Sequence, residues 1–142
     1  MTDPDPTSTT DPATGGVAST GPVASIGLVL DCTDPERLAQ FWSSALGYIV
    51  AGRAGSYVAL VDPIRRGPKL LLQQVPEAKS TKNRMHFDID TRHVDAEADR
   101  LCLIGATRVD ADAHCEHGTR WVVLVDPEGN EFCVCDGGHP AT

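Results

Sequence analysis

The sequence is poor in aromatic residues, with two Trp, two Tyr and three Phe among 142. A core must then be built mainly from aliphatic side chains, with a few rings as local anchors. Long apolar runs are also missing; nothing approaches the roughly 20 residues of a membrane helix. Positive charge is scarce: 12 Lys and Arg against 20 Asp and Glu leave a net charge of −8. Apart from the short cluster Lys79, Lys82 and Arg84 the basic residues are scattered. A basic face for nucleic acid is therefore not expected. The chain does not start with a basic segment followed by an apolar one, so no export signal and a cytoplasmic location are expected. Five cysteines (Cys32, Cys102, Cys115, Cys133, Cys135), odd in number and without a CxxC pair, fit reduced thiols rather than a disulfide framework. Neither a phosphate-cradling glycine loop nor a Ser-His-Asp arrangement can be read from the spacing, so a nucleotide cofactor is not expected.

Residues 1–21 are rich in Pro, Thr, Asp and Gly and nearly free of large apolar side chains. Such a segment cannot bury enough surface to offset its ordering entropy, and a disordered tail is expected there. Residues 22–138 remain as one domain, long enough to bury roughly 65% of the surface of the unfolded chain.

Within that domain one phrase occurs twice. Tyr57-Val-Ala-Leu-Val-Asp-Pro63 returns as Trp121-Val-Val-Leu-Val-Asp-Pro127, identical at five of seven positions. The flanks repeat too. Each copy follows an apolar run and a helix-like run ending in Leu46-Gly47 or Ile104-Gly105, and each precedes a glycine and a further apolar run. A repeat of this length means two copies of one supersecondary unit packed as a pair. Module one covers about residues 24–77 and module two about residues 84–136.

The expected strands of module one are 26–32, 49–51, 57–61 and 69–74. Its helix starts at Thr33-Asp34-Pro35, with capping residues followed by proline in the first turn. Leu38, Phe41, Trp42 and Ala45 form its apolar stripe, and Gly47 ends it. In module two the expected strands are 85–90, 107–109, 120–125 and 131–135, with a helix from about Asp95 to Ile104. Alternation along a strand puts His86, Asp88 and Asp90 on one face and Met85, Phe87 and Ile89 on the other. Each module thus reads βαβββ, and its helix covers one sheet face. The expected fold class is α+β: two tandem βαβββ modules forming a cup-shaped mixed β-sheet around one cavity.

This arrangement resembles the vicinal oxygen chelate superfamily, which includes glyoxalase I, extradiol dioxygenases and bleomycin- and fosfomycin-resistance proteins. The residues that carry the resemblance are Leu30 to Trp42, Leu46-Gly47, Lys82 to Asp90, Ile104 to Thr107 and Asp126 to Val134. Together they look like the glyoxalase-like subgroup common in actinobacteria. The resemblance implies a small-molecule ligand, a homodimer in many members, and a divalent metal held between the modules. Its usual ligand positions map onto Gly27, Leu71, His86 and Cys133. Only His86 is a family ligand kept in kind, because Cys133 stands where the family has Glu. No metal or other cofactor is therefore assigned, and no full metal shell is expected.

His86 is the expected catalytic residue, since an imidazole can accept a substrate proton, donate to a ligand oxygen or hold a metal. Asp88, Gln73, Glu131 and Cys133 are expected ligand-binding residues on the cavity walls. Tyr57 and Trp121 occupy equivalent strand starts, where each either lines the cavity mouth or caps the core. Cys133 could serve as a nucleophile if a neighbour lowered its pKa, and an inert wall cysteine is the plainer reading. His114-Cys115-Glu116-His117 is expected in a loop, as a solvated lid rather than a metal site. Three functional readings stay open: a metabolite-binding lyase or isomerase acting next to an oxygen, a non-catalytic binder that sequesters an antibiotic or toxic metabolite, and a metal-dependent lyase or dioxygenase with non-standard ligands.

Overall fold

The computed structural model describes residues 24–137. The expected tail at residues 1–21 lies outside them, and so does His139. Module one contains β1 (Leu28–Cys32), α1 (Pro35–Leu46), β2 (Ile49–Ala54), β3 (Tyr57–Val61) and β4 (Leu70–Gln74). Module two contains β5 (Phe87–Asp90), α2 (Val94–Leu103), β6 (Thr107–Arg108), β7 (His114–Glu116), β8 (Thr119–Val125) and β9 (Glu131–Cys135). The sheet orders are β1-β4-β3-β2 and β5-β9-β8-β6, with β7 added on β8. In each sheet the first strand runs parallel to the last, and the remaining pairs are antiparallel. The repeated phrase therefore occupies equivalent strands, β3 and β8, as the 64-residue offset requires. The register agrees in detail: Val29 pairs with Leu71 in module one as Asp88 pairs with Cys133 in module two.

Local chemistry explains the element ends. The Asp34 side chain caps α1 by accepting from the Arg37 N–H, Pro35 stands in the first turn, and Gly47 closes the helix with φ at +68°. Both first strands start later than expected, at Leu28 and Phe87, because their ladders start at Leu28–Leu70 and Phe87–Phe132. Met85 and His86 thus precede β5. One expectation is corrected outright: His114–Glu116 is a strand, not a loop. It folds back on Thr119–Trp121 through a turn in which His117 (φ 50°) and Gly118 (φ 79°) both take left-handed backbone. An exposed edge strand of polar residues carries no apolar alternation, so periodicity does not reveal it.

The scarce rings are concentrated in one place. Trp42 of α1 packs edge-on against Phe41, Phe87 and Phe132, with centroids 5.1, 5.4 and 5.1 Å away. Four of the seven aromatic residues therefore join the helix of module one to β5 and β9 of module two. Trp42 is 1% exposed, and its Nε1–H donates to Asp126 Oδ2 at 3.1 Å. Around this joint Leu38, Leu60, Leu70, Leu72, Leu101, Val122, Leu124 and Val134 form a continuous aliphatic core. Cys102 packs at its margin, half-buried. Among the described residues no helix is long and apolar enough to cross a membrane.

Candidate functional site

Phe87, Ile89, Phe132 and Val134 point to the helix side, where they pack in or against the core. The alternate residues Asp88, Cys133 and Cys135 must then face the other side of the sheet. His86 joins them there. It lies one position before β5, and its Nε2 is 3.2 Å from Asp88 Oδ1. His86, Asp88, Thr119, Trp121, Cys133 and Cys135 line a cleft of about 160 Å³. Three of these residues offer one donor atom each within 4.8 Å of one another: an imidazole nitrogen of His86, a carboxylate oxygen of Asp88 and the Cys133 sulfur. One point therefore lies within about 2.8 Å (4.8/√3) of all three atoms. The expectation that too few donors converge to hold a metal is corrected here. The walls of module one do lack donors at Gly27 and Leu71, yet a single strand pair of module two supplies three.

The electrostatics of the cleft are acidic. Burial, then the Asp88 and Glu131 carboxylates, push the Cys133 thiol above its ordinary range, with Lys82 pulling the other way. Cys135 is pushed up to about 12, first by burial and then by its hydrogen bond to Asp90 Oδ1 at 3.2 Å. Neither thiol is a free thiolate near neutral pH, which removes support for Cys133 as an unassisted nucleophile.

The remaining expected site residues are dispersed. Glu131 forms an ion pair with Lys82, its backbone N–H donates to the Asn83 side-chain oxygen at 3.2 Å, and it shares a 40 Å³ cavity with His86. Gln73 and Tyr57 stand directly opposite each other on the sheet of module one and line neither cavity. Trp121 does line the cleft, and the His114 ring stacks on it at 5.4 Å with 19° between planes. His114 is held in turn by Asp110, 2.8 Å from its Nε2. Three participants were not anticipated from the sequence: Thr119 and Cys135 in the cleft, and His114 behind Trp121. Strand period carried a signal for two of them, since Thr119 and Cys135 sit two positions from Trp121 and Cys133. On its other side the His86–Asp88 pair borders a wider, mostly apolar cavity of about 410 Å³, which reaches Leu28, Leu46, Tyr48 and Pro68 of module one.

Comparison with known proteins places the fold. No curated protein matches the sequence. A family model described as a glyoxalase-like domain matches residues 27–135. A glyoxalase/bleomycin resistance protein/dioxygenase from Nocardioides is 20% identical with a TM-score of 0.64, over 87% of this chain and 92% of that one. A family enzyme of the same description from Burkholderia phytofirmans PsJN is 20% identical with a TM-score of 0.62, over 76% and 94%. A mutant of the fosfomycin resistance protein FosX from Listeria monocytogenes, complexed with Mn(II) and 1S,2S-dihydroxypropylphosphonic acid, is 14% identical with a TM-score of 0.65, over 81% and 91%. At such identities the structures speak for the fold alone. The family-model match extends from just before β1 to the end of β9, both modules included, and on that ground this chain belongs to the glyoxalase-like domain family.

Proposed function

We propose that the protein binds a small oxygen-bearing organic molecule in the cleft over the sheet of module two and acts on it as a lyase or isomerase next to that oxygen. The observation that carries this reading is the convergence of His86, Asp88 and Cys133 on one point of an open cleft. The Asp88 carboxylate stands 3.2 Å from the His86 ring nitrogen and keeps an acceptor beside the imidazole. His86 would thus receive a proton from a carbon beside the bound oxygen and return it elsewhere on the substrate. Trp121, backed by His114, supplies a flat apolar wall, and Thr119 offers a hydroxyl to a ligand oxygen.

A divalent metal, the cofactor the family resemblance implies, is compatible with these residues. Catalytic sites commonly use three protein ligands and leave a fourth position open, and His86, Asp88 and Cys133 would hold the ion. Bound there, it would polarise the substrate oxygen. A second reading, a metal-free binder that sequesters its ligand, draws on the donor-free positions Gly27 and Leu71.

Thermal-shift screening of a metabolite library against the parent and His86→Ala, each with and without a chelator, tests the proposal. Hits should stabilise the parent and bind His86→Ala about 1–3 kcal/mol more weakly, as expected for one lost buried hydrogen bond. NMR of each hit with the protein then separates turnover from sequestration. Equal binding to both forms by every hit would place the site elsewhere.

A further inference from the structure

We infer that the metal position in this cleft is built for a thiophilic divalent ion of the zinc class, with Cys133 as a thiolate ligand. This rests on the cleft of the proposed function but makes a separate claim about its chemistry. The donor set is one imidazole nitrogen, one carboxylate oxygen and one sulfur. Hard ions such as Mg²⁺ and Ca²⁺ prefer six or more oxygen donors, and of the three converging residues only Asp88 offers any. Imidazole and thiolate together suit Zn²⁺, Co²⁺ and Fe²⁺.

Geometry supports the same class. Asp88 and Cys133 are direct partners across the parallel β5–β9 ladder. His86 lies just before β5, with its Nε2 3.2 Å from Asp88 Oδ1, and lines the same cleft as Asp88 and Cys133. Tetrahedral zinc, with bonds of about 2.0–2.3 Å, places donors roughly 3.5 Å apart. The His86–Asp88 separation is already close to that. The 4.8 Å bound on the set leaves a contraction that side-chain torsions can supply. Cys133 is anchored, at 9% exposure, while the paired His86 and Asp88 side chains are 46% and 58% exposed, so an ion could draw both toward the sulfur by side-chain rotation. The equivalent residues of module one are Gly27, Val29 and Leu71, none of which has a donor side chain, so the site lies in module two alone.

This differs from the Mn(II)-containing FosX structure in the ion expected. Binding is a ligand exchange. Metal-bound waters leave, the Cys133 S–H bond breaks, a sulfur–metal bond forms, and the proton passes to solvent without change of oxidation state. A ligand oxygen would reach an ion held there from the cleft.

Cobalt(II) titration of full-length protein without a His-tag is the test, followed by absorbance. One equivalent should bind with a near-ultraviolet thiolate-to-cobalt charge-transfer band. That band should vanish in Cys133→Ser and persist in Cys115→Ser, whose exposed thiol controls for adventitious binding. Cys133→Asp keeps a ligand without sulfur and should bind cobalt without the band, which covers the case in which Cys133→Ser folds poorly. Equimolar Zn²⁺ should displace cobalt from the parent, and a hundredfold excess of Mg²⁺ or Mn²⁺ should not. The inference is overturned by cobalt bound without the band, by a band that survives in Cys133→Ser, by displacement with equimolar Mn²⁺, or by no cobalt binding at all. The cleft reading is judged separately, by ligand shifts measured in chelator. Cobalt without the band, alongside ligand binding that needs His86, removes the thiolate and keeps the cleft. The band alongside ligands indifferent to His86→Ala does the reverse.

Discussion

Asp62 and Asp126 occupy the same place in the two copies of the repeated phrase, yet their surroundings push them in opposite directions. Asp62 follows β3 at the start of an exposed loop and accepts backbone N–H groups from Ile64, Arg66 and Gly67. Those bonds, the Ile64 one foremost, hold its carboxyl below the usual range. Asp126 is 3% exposed beneath α1 and accepts from Trp42, Glu128 and Asn130. Burial outweighs those bonds and raises its pKa. Module one thus spends its copy on a surface turn, while module two uses its copy to receive the ring that joins the halves. The same divergence runs through the sheet faces, with Gly27, Val29 and Leu71 against His86, Asp88 and Cys133. A duplicated backbone preserves positions, and the residues placed there decide the chemistry.

The joint should show the largest effect. Trp42→Ala removes a fully buried ring from both modules and should cost about 3–5 kcal/mol in urea unfolding. A loss below about 1 kcal/mol would mean that the modules are not joined through this ring.

Asp126→Ala should cost about 2–3 kcal/mol, because the Trp42 N–H and the Asn130 amide would be left buried without an acceptor. Asp62→Ala should cost less, since two of its three N–H partners, Ile64 and Arg66, lie on an exposed loop and the third, Gly67, is only part-buried. Equal losses would erase the distinction between the two aspartates.

The pH dependence should differ in sign. Asp126 binds its proton more tightly folded than unfolded. Its contribution is full below the ordinary carboxylate pKa and is lost as pH rises through the raised folded value. Asp62 behaves oppositely: its contribution is present above the ordinary value and is lost as pH falls through the depressed folded value. Between about pH 3 and pH 7, the stability advantage of the parent over Asp126→Asn should shrink as pH rises, and its advantage over Asp62→Asn should grow. Parallel slopes for the two variants in urea melts would contradict the assignment.

The smallest effect is expected at the wall of module one. A Cβ built on Gly27 meets nothing within 4 Å. Gly27→His should therefore change stability by no more than about 0.5 kcal/mol. A loss above about 1 kcal/mol would show that space, not residue choice, keeps donors off that wall.

Much of this was legible in the sequence because it depends on short-range pattern. The repeat forces equivalent strands, period two fixes which side of β5 carries Asp88, and the Asp34-Pro35 and Gly47 signals bound α1 by local chemistry. Single residues at the wall were legible too: donors at His86, Asp88 and Cys133, none at Gly27 or Leu71. Tertiary structure alone decided the rest. It brought β9 beside β5 in the register that sets the Cys133 sulfur within reach of His86 and Asp88, although more than forty residues separate them in the chain. It left Gln73 and Tyr57 off the cleft, formed β7 from a segment with no apolar period, and gave two identical aspartates opposite electrostatics. These outcomes depend on distances across strands and on burial, which arise only when separate segments pack, and no local spacing encodes them.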